Sequence, residues 1–164
     1  MEIRLADKKD INDIAMIEAK CFPSLEAATY EQFLERFESF GDCFLVAVNN
    51  DQVIGFINGC STNEPCLPDE LYHDASLHQK EGLYQTVFGL DVLPDYRHQG
   101  IAGALLKSFI LLAKQRGKKG MVLTCKDYLI HYYEKFGFVR QGISDSHHGG
   151  ASWNDMLYIF EDGE

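Results

Sequence analysis

The residues best suited to chemistry lie between Leu90 and Gly103, in the stretch LDVLPDYRHQGIAG. An apolar run passes through a short turn to Arg97, and Gly100, Ala102 and Gly103 then open a segment with helical periodicity. Glycines let the backbone come close to a ligand, and the first turn of a helix presents unpaired N–H groups with a partial positive charge. A pyrophosphate fits such a cradle, and Arg97 would add a charge-assisted contact to it. The same residues also suit an ordinary strand, turn and helix start, and taken alone they do not decide between the two. Neither a Walker A sequence nor Gly-x-Gly-x-x-Gly is present, so a P-loop and a Rossmann fingerprint both fit poorly.

The cradle needs a strand before it and a helix after it. Residues 84–93 have strand character interrupted at Gly89, which predicts a bulge or a close approach by another group. After Gly100 the stripe of Ile101, Leu105, Phe109, Leu112 and Ala113 predicts a helix to about Arg116, stopped by Gly117. Upstream, residues 2–6 alternate as a strand. Asp7 or Asp10 caps a helix that runs to Cys21 and is broken by Pro23. A second helix is predicted over residues 27–40, with Phe33, Leu34 and Phe37 on one face. Residues 44–48 and 53–57 read as a hairpin around Asn49, Asn50 and Asp51. The polar stretch 61–82 reads as a long connection with at most a short helix near residues 69–73. A buried-type strand at 121–124, a helix over about 127–136 closed by Gly137, and strands near 138–141 and 153–160 complete the chain. Such mixing predicts an α/β (α+β) sheet with helices on both faces, in one domain over residues 1–164.

Five cysteines, an odd number with no Cys-x-x-Cys pair, argue against a disulfide framework and a zinc ribbon and point to a reducing cytoplasm. His147 and His148 sit in a glycine-rich turn without ligand partners at suitable spacing, so no metal is expected. The opening MEIRLADKKD lacks the apolar core of a signal peptide, and no run approaches the roughly 18 apolar residues of a membrane span. A net charge of −10 disfavours nucleic acid and anionic membranes as partners and suits a cationic substrate, although it also serves solubility.

Arg97-x-x-Gly100-x-Ala102 after a strand resembles motif A of the GNAT superfamily of N-acetyltransferases. The resemblance implies acetyl-CoA as co-substrate. Its pyrophosphate would lie on the backbone of Arg97, His98, Gln99, Gly100, Ile101, Ala102 and Gly103, and its pantetheine along Leu90, Asp91 and Val92. It also implies a central, mixed but mostly antiparallel, twisted sheet of about seven strands. A second segment, LTCKDYLIHYYEKFGFVRQG, is similar to the later motif in which a helix ends Tyr-x-x-x-Gly-Phe, and this makes Tyr133 the candidate general acid, with Tyr132 beside it. A phenol with a pKa of about 10 holds a proton at neutral pH that it can give to a departing thiolate.

Within the superfamily the chain resembles the arylalkylamine, or serotonin, N-acetyltransferase group. Cys21-Phe22-Pro23, Leu77-His78, Cys125-x-Asp127-x-Leu129 and Ser152–Met156 carry this likeness by their order and spacing. It implies that Phe22, Pro23, Leu25 and Glu26 lie near the amine. One departure matters: the two positions that hold a proton-relaying histidine pair in the animal enzymes are here Thr86 and Phe88. Glu26, Asp91, His78 or a chain of waters must then take the amine proton. The expected reaction is direct attack of a primary amine on acetyl-CoA in a ternary complex, with backbone N–H near Asp91 or Val92 on the oxyanion. A covalent route through Cys125 with His131 as base is the alternative chemistry. The alternative functions are a related enzyme acting on a protein N-terminus, polyamine or aminoglycoside, and a non-catalytic acyl-CoA sensor. A small-molecule amine is the expected partner, and a homodimer is left open.

Overall fold

The computed structural model describes residues 1–161. Its elements in chain order are β1 (Glu2–Leu5), α1 (Ile11–Cys21), α2 (Tyr30–Phe40), β2 (Phe44–Asn49), β3 (Gln52–Asn58), β4 (Ser61–Thr62), α3 (Glu70–His73), β5 (Tyr84–Val87), β6 (Gly89–Val92), α4 (Ile101–Gln115), β7 (Gly120–Cys125), α5 (Ile130–Glu134), β8 (Val139–Ile143) and β9 (Asn154–Ile159). The chain divides into two compact units, residues 1–59 with 88–109, and residues 60–87 with 110–164.

In the first unit the strands run β1-β2-β3-β6, every pair antiparallel. The β2–β3 turn puts Asn50 and Asp51 at φ of 50° and 64°, the left-handed pair that a tight hairpin requires and that Asn and Asp tolerate. Gly55 and Phe56 are neighbours on β3 and so point to opposite faces of the sheet. The ring of Phe56 meets Phe33 of α2 edge-on at 5.5 Å, whereas a side chain on Gly55 would meet Leu105 of α4. Helices therefore cover both faces of this sheet. Ile11, Ile14 and Ile17 of α1, with Phe33, Phe40, Phe44 and Phe56, form its core. Full burial contributes roughly 1.5–3 kcal/mol for each such side chain.

Helix α2 begins at Tyr30, later than the apolar pattern alone predicts, because Thr29 and Gln32 close a capping box there: Gln32 N–H donates to Thr29 Oγ1 at 3.2 Å and Thr29 N–H to Gln32 Oε1 at 2.8 Å.

In the second unit the order is β4-β5-β7-β9-β8, with β5 and β7 parallel and the other pairs antiparallel. Strand β4 lies in the stretch that sequence pattern reads as a connection; at two residues it is too short to show periodicity. The predicted helix over 127–136 contracts to α5, flanked by a 3₁₀ turn at Asp127–Leu129. Phe138 packs between the rings of Tyr133 and Tyr158 at 5.9 and 5.7 Å.

The run 84–93 is the largest departure from pattern. It is two strands that belong to different sheets: β5 pairs with β4 and β7, β6 pairs with β3, and the chain changes sheet at Phe88. Among the described residues no helix is long and apolar enough to cross a membrane.

Candidate functional site

Strand β6 is an edge strand of the first unit's sheet. Leu93 N–H donates to Ile54 C=O at 2.8 Å, so alternation along the strand turns the N–H groups of Leu90 and Val92 to the side away from β3. That edge can receive an extended ligand as an added strand. The residues after it turn sharply. His98 and Gly100 both lie in the left-handed region, at φ of 63° and 79°. Gly100 takes this conformation freely, whereas in His98 it is strain of the kind that collects at binding sites. Gly100 C=O accepts the helical bond from Ala104 N–H, which leaves Ile101, Ala102 and Gly103 with N–H groups that have no helical partner. Residues 97–100 are exposed, so this end of α4 faces solvent. The Arg97 side chain turns back along the strand, its Nε donating to Val92 C=O at 3.2 Å and an Nη to Cys21 Sγ at 3.4 Å.

Beneath β6 is a buried polar cluster. Asp91 and Asn58 are each 1 % exposed and Glu18 is 7 % exposed. A side chain at Gly89 would place its first carbon 3.2 Å from Asp91 Oδ1, 3.5 Å from Glu18 Oε1 and 3.7 Å from Asn58 Nδ2, so three polar groups ring the space that glycine leaves. Neither oxygen of Asp91 has an N–H or hydroxyl donor in the protein, and Asn58 Nδ2 has no acceptor. Asp91's near neighbour is instead another carboxyl, Glu18, and two carboxyls satisfy each other only when they share a proton. Burial pushes the Asp91 carboxyl well above its ordinary range; the charge of Glu18 and the hydrogen bond to it act in the same direction, Cys21 adds to this, and Arg97 opposes it. Glu18 Oε2 also accepts Ala28 N–H at 2.8 Å, and Asn58 Oδ1 accepts from Arg36 Nη1 at 3.4 Å.

The acetyltransferase (GNAT) family model matches residues 11–138. The chain belongs to this family. Human N-acetyltransferase 8B is 26 % identical over 110 residues, 65 % of this chain and 43 % of that protein. The chain thus spans less than half the length of that relative. Serotonin N-acetyltransferase of Mesocricetus auratus is 27 % identical over 146 residues, 86 % of this chain and 69 % of that one. Among solved structures, the GphF GNAT-like decarboxylase in complex with isobutyryl-CoA superposes with a TM-score of 0.82 at 18 % identity, covering 97 % of this chain and 99 % of its own, a likeness of fold.

Within this GNAT fold the first unit brings together the motif A residues, Leu90–Val92, and the segment expected near the amine. Phe22 is half-buried, Pro23 and Leu25 are exposed, and Glu26 is buried. The turn closes through Glu26 and Ala27 N–H groups that donate to Pro23 C=O at 2.9 Å. Tyr133 belongs to the second unit, buried on α5 and edge-on to Tyr132 at 5.3 Å. The phenol of Tyr132 is pushed up by burial.

Neither residue at the histidine-pair positions can take a proton: Thr86 donates Oγ1–H to Cys60 C=O at 3.0 Å, and the Phe88 ring lies against the Arg36 guanidinium at 4.7 Å. His78 accepts Ser61 N–H on Nδ1 at 3.0 Å, which occupies the basic nitrogen of its neutral ring. Cys125 is buried, and burial first, then the nearby Asp127, pushes its thiol up to about 11. A cavity of about 290 Å³ in the second unit, lined among others by Cys66, Asp69, Asp145 and Asp155, contains none of the expected site residues.

Sequence pattern did not single out Glu18, Asn58 or Arg36 as site residues. Two of them carried a signal: Glu18 falls on the stripe of Ile11 and Ile14, and Arg36 on that of Phe33 and Phe40, charges where a helix buries apolar side chains.

Proposed function

We propose that residues 1–164 form one acetyltransferase domain that moves the acetyl group of acetyl-CoA to a primary amine. The family model supports a single domain, since its match runs through both units. The observation that carries the co-substrate assignment is the exposed turn before α4, where left-handed His98 and Gly100 lead into N–H groups of Ile101, Ala102 and Gly103 that have no helical partner. These donors suit the pyrophosphate, with Arg97 and Gln99 at its rim, and the outward groups of Leu90 and Val92 suit the amides of pantetheine. That the GphF protein is solved with isobutyryl-CoA supports an acyl-CoA here.

The acceptor enters beside Phe22, Pro23, Leu25 and Glu26. Its nitrogen attacks the thioester carbonyl directly, while backbone N–H at Val92 steadies the oxyanion and Tyr133 protonates the leaving thiolate. A thiol held near 11 is almost wholly protonated at neutral pH, which favours direct transfer over an acetyl-Cys125 intermediate. An arylalkylamine is the acceptor supported by the likeness to serotonin N-acetyltransferase. The net charge of −10 also suits a cation, and a cytoplasmic location suits five free cysteines.

Thiol release from acetyl-CoA, measured against tryptamine, phenethylamine, spermidine, an aminoglycoside and a short peptide, tests this reading. Turnover on the aryl amines is expected. Turnover only on another acceptor would move the chain to that substrate class, and binding of acetyl-CoA with no turnover would make it a sensor. Tyr133→Phe should lower kcat by about 10²–10⁴-fold with the acetyl-CoA Kd unchanged; an unaltered kcat would remove Tyr133 from the acid role.

A further inference from the structure

The acceptor amine is an ammonium ion at neutral pH, and it must lose a proton before its nitrogen can attack. Thr86, Phe88 and His78 are each committed to other contacts. The first unit nevertheless holds two carboxyls, Glu18 and Asp91, against each other in its interior. A core position that needed only packing would be filled by an apolar side chain at lower cost. The strand and the turn expected to hold the two reactants both adjoin this pair. Asp91 sits on the strand whose outer edge suits pantetheine. Glu18 Oε2 holds Ala28 N–H at 2.8 Å and so anchors the far end of the turn expected near the amine. Gly89 leaves a space ringed by Asp91 Oδ1, Glu18 Oε1 and Asn58 Nδ2, where Asp91 meets no N–H or hydroxyl donor and Asn58 Nδ2 no acceptor. Two acceptors and a donor at this spacing suit one water molecule.

We propose that Asp91 and Glu18 act as a carboxylate dyad that takes the proton of the acceptor amine, through a water seated beside Gly89. This rests on the acetyltransferase reading. The ammonium N–H bond breaks, and its proton passes through the water to a dyad oxygen, reducing the dyad from two negative charges to one. The freed lone pair forms the N–C bond and the C–S bond breaks. The CoA sulfur leaves with its electron pair, and the nitrogen's second proton balances the thiol. The dyad returns its proton to solvent when the product departs.

Burial first, and then the charge of Glu18, raise the pH at which Asp91 gives up its proton, which brings a carboxylate base toward the working pH. The groups facing Asp91 are Glu18 and Cys21 from α1 and Arg97 from the turn before α4, with Arg36 beyond Asn58. The dyad is a base only when doubly ionised, so kcat/KM rises with pH as its proton is lost.

The test compares wild-type protein with Glu18→Gln, Asp91→Asn and Gly89→Ala on the best acceptor. Glutamine keeps an oxygen for Ala28 N–H but removes the charge beside Asp91. The acid limb of kcat/KM should then move down by about one pH unit or more, while the ammonium titration of the acceptor stays the same for both proteins. Asp91→Asn should lower kcat/KM by about 10²–10⁴-fold. Gly89→Ala, which fills the water's space, should lower kcat at least severalfold with the acetyl-CoA Kd unchanged.

A readout independent of turnover is the ¹³C NMR titration of the labelled carboxyls. Asp91 and Glu18 should titrate as a coupled pair in the wild type, and Asp91 alone, at lower pH, in Glu18→Gln. Independent titration of the two at ordinary carboxylate pH would overturn the dyad outright. Turnover with an unmoved acid limb would overturn its role and leave the acetyltransferase reading standing. Coupled titration with no turnover on any amine would overturn that reading and the role together.

Discussion

The two halves of the run from Tyr84 to Val92 are continuous in sequence and equally buried at their polar positions, yet they treat those polar groups in opposite ways. Upstream of Phe88, strand β5 lies between β4 and β7, and its buried Gln85 and Thr86 side chains donate to backbone carbonyls. Gln85 Nε2 donates to Cys60 C=O at 3.1 Å and to Thr86 C=O at 2.8 Å, and Thr86 Oγ1 donates to the same Cys60 carbonyl. Downstream, β6 has one strand neighbour among the described residues, Asp91 meets no N–H or hydroxyl donor and has only the Glu18 carboxyl beside it, and Asn58 Nδ2 finds no acceptor. A buried polar group left in this condition costs about 1–3 kcal/mol. The first half is what a fold needs in order to close its hydrogen-bond accounts; the second carries a penalty that packing does not require, and such exceptions ask for a task.

The sharpest way to break this comparison is to remove the Asp91 charge and measure stability rather than rate. The folded-state pKa of Asp91 lies well above the 3.8 of the free side chain, so between those two values the folded protein holds more protons than the unfolded chain. Wild-type stability should therefore fall as pH rises through that window and level off above it. Asp91→Asn lacks this titration. Urea unfolding should find the variant more stable at pH 8 by about 1–3 kcal/mol, with the advantage vanishing near pH 4. A variant less stable at pH 8 would mean that the carboxylate is well partnered and that the two halves are alike. Asp10 is the internal contrast. Burial alone would raise its carboxyl, but Arg4, at 2.8 and 3.2 Å, holds it low, so its contribution is present above pH 4 and is lost on acidification.

A smaller effect should come from Gly100→Ala. No atom lies within 4 Å of the added carbon, so the cost is purely that of φ at 79° in a residue with a side chain, about 1–2 kcal/mol. Spent on distorting the cradle, that is roughly a tenfold loss of acetyl-CoA affinity by calorimetric titration. An unchanged Kd would separate the turn from ligand binding.

Much of this was open to sequence reasoning because it rests on local chemistry. The hairpin at Asn50 and Asp51, the stripe of α4 and the Arg97–Gly103 segment all depend on residues near each other in the chain. The change of sheet at Phe88 does not, since it turns on which strands are available as neighbours; Gly89 marked the place without saying what happens there. The dyad lay further out of reach. Glu18 and Asp91 are distant in sequence; Asp91 was already a candidate for the amine proton, but nothing paired it with Glu18, whose misplaced charge on the Ile11–Ile14 stripe alone pointed inward. The missing histidine pair was visible and Asp91 was among the residues named to replace it, but its pairing with Glu18 shows only in burial and contact.

On the satisfied half, Thr86→Val sharpens the contrast from the other side. Valine keeps the shape and removes a donor to the Cys60 carbonyl, which still accepts Thr86 N–H at 2.8 Å and Gln85 Nε2. Thermal unfolding should register a loss of about 1 kcal/mol or less, and the acid limb of kcat/KM should stay in place. A moved limb would give Thr86 a share in proton transfer and erase the distinction between the halves.

The smallest effect is expected at Cys125, and it bears on which half of the run meets the reaction. Strand β7, which carries Cys125, runs parallel to β5, so a covalent acetyl-cysteine would bring chemistry to the satisfied half. The thiol is 2 % exposed and held near 11, and so lacks both the access and the ionisation of a nucleophile. Cys125→Ala should leave kcat within about twofold, at the cost only of a small packing defect. Incubation of wild-type protein with acetyl-CoA alone should add no 42 Da mass, the size of an acetyl group, to the peptide that contains Cys125. Loss of turnover in the alanine variant, together with that added mass, would move the first chemical step to β7 and make the buried carboxyls of β6 spectators.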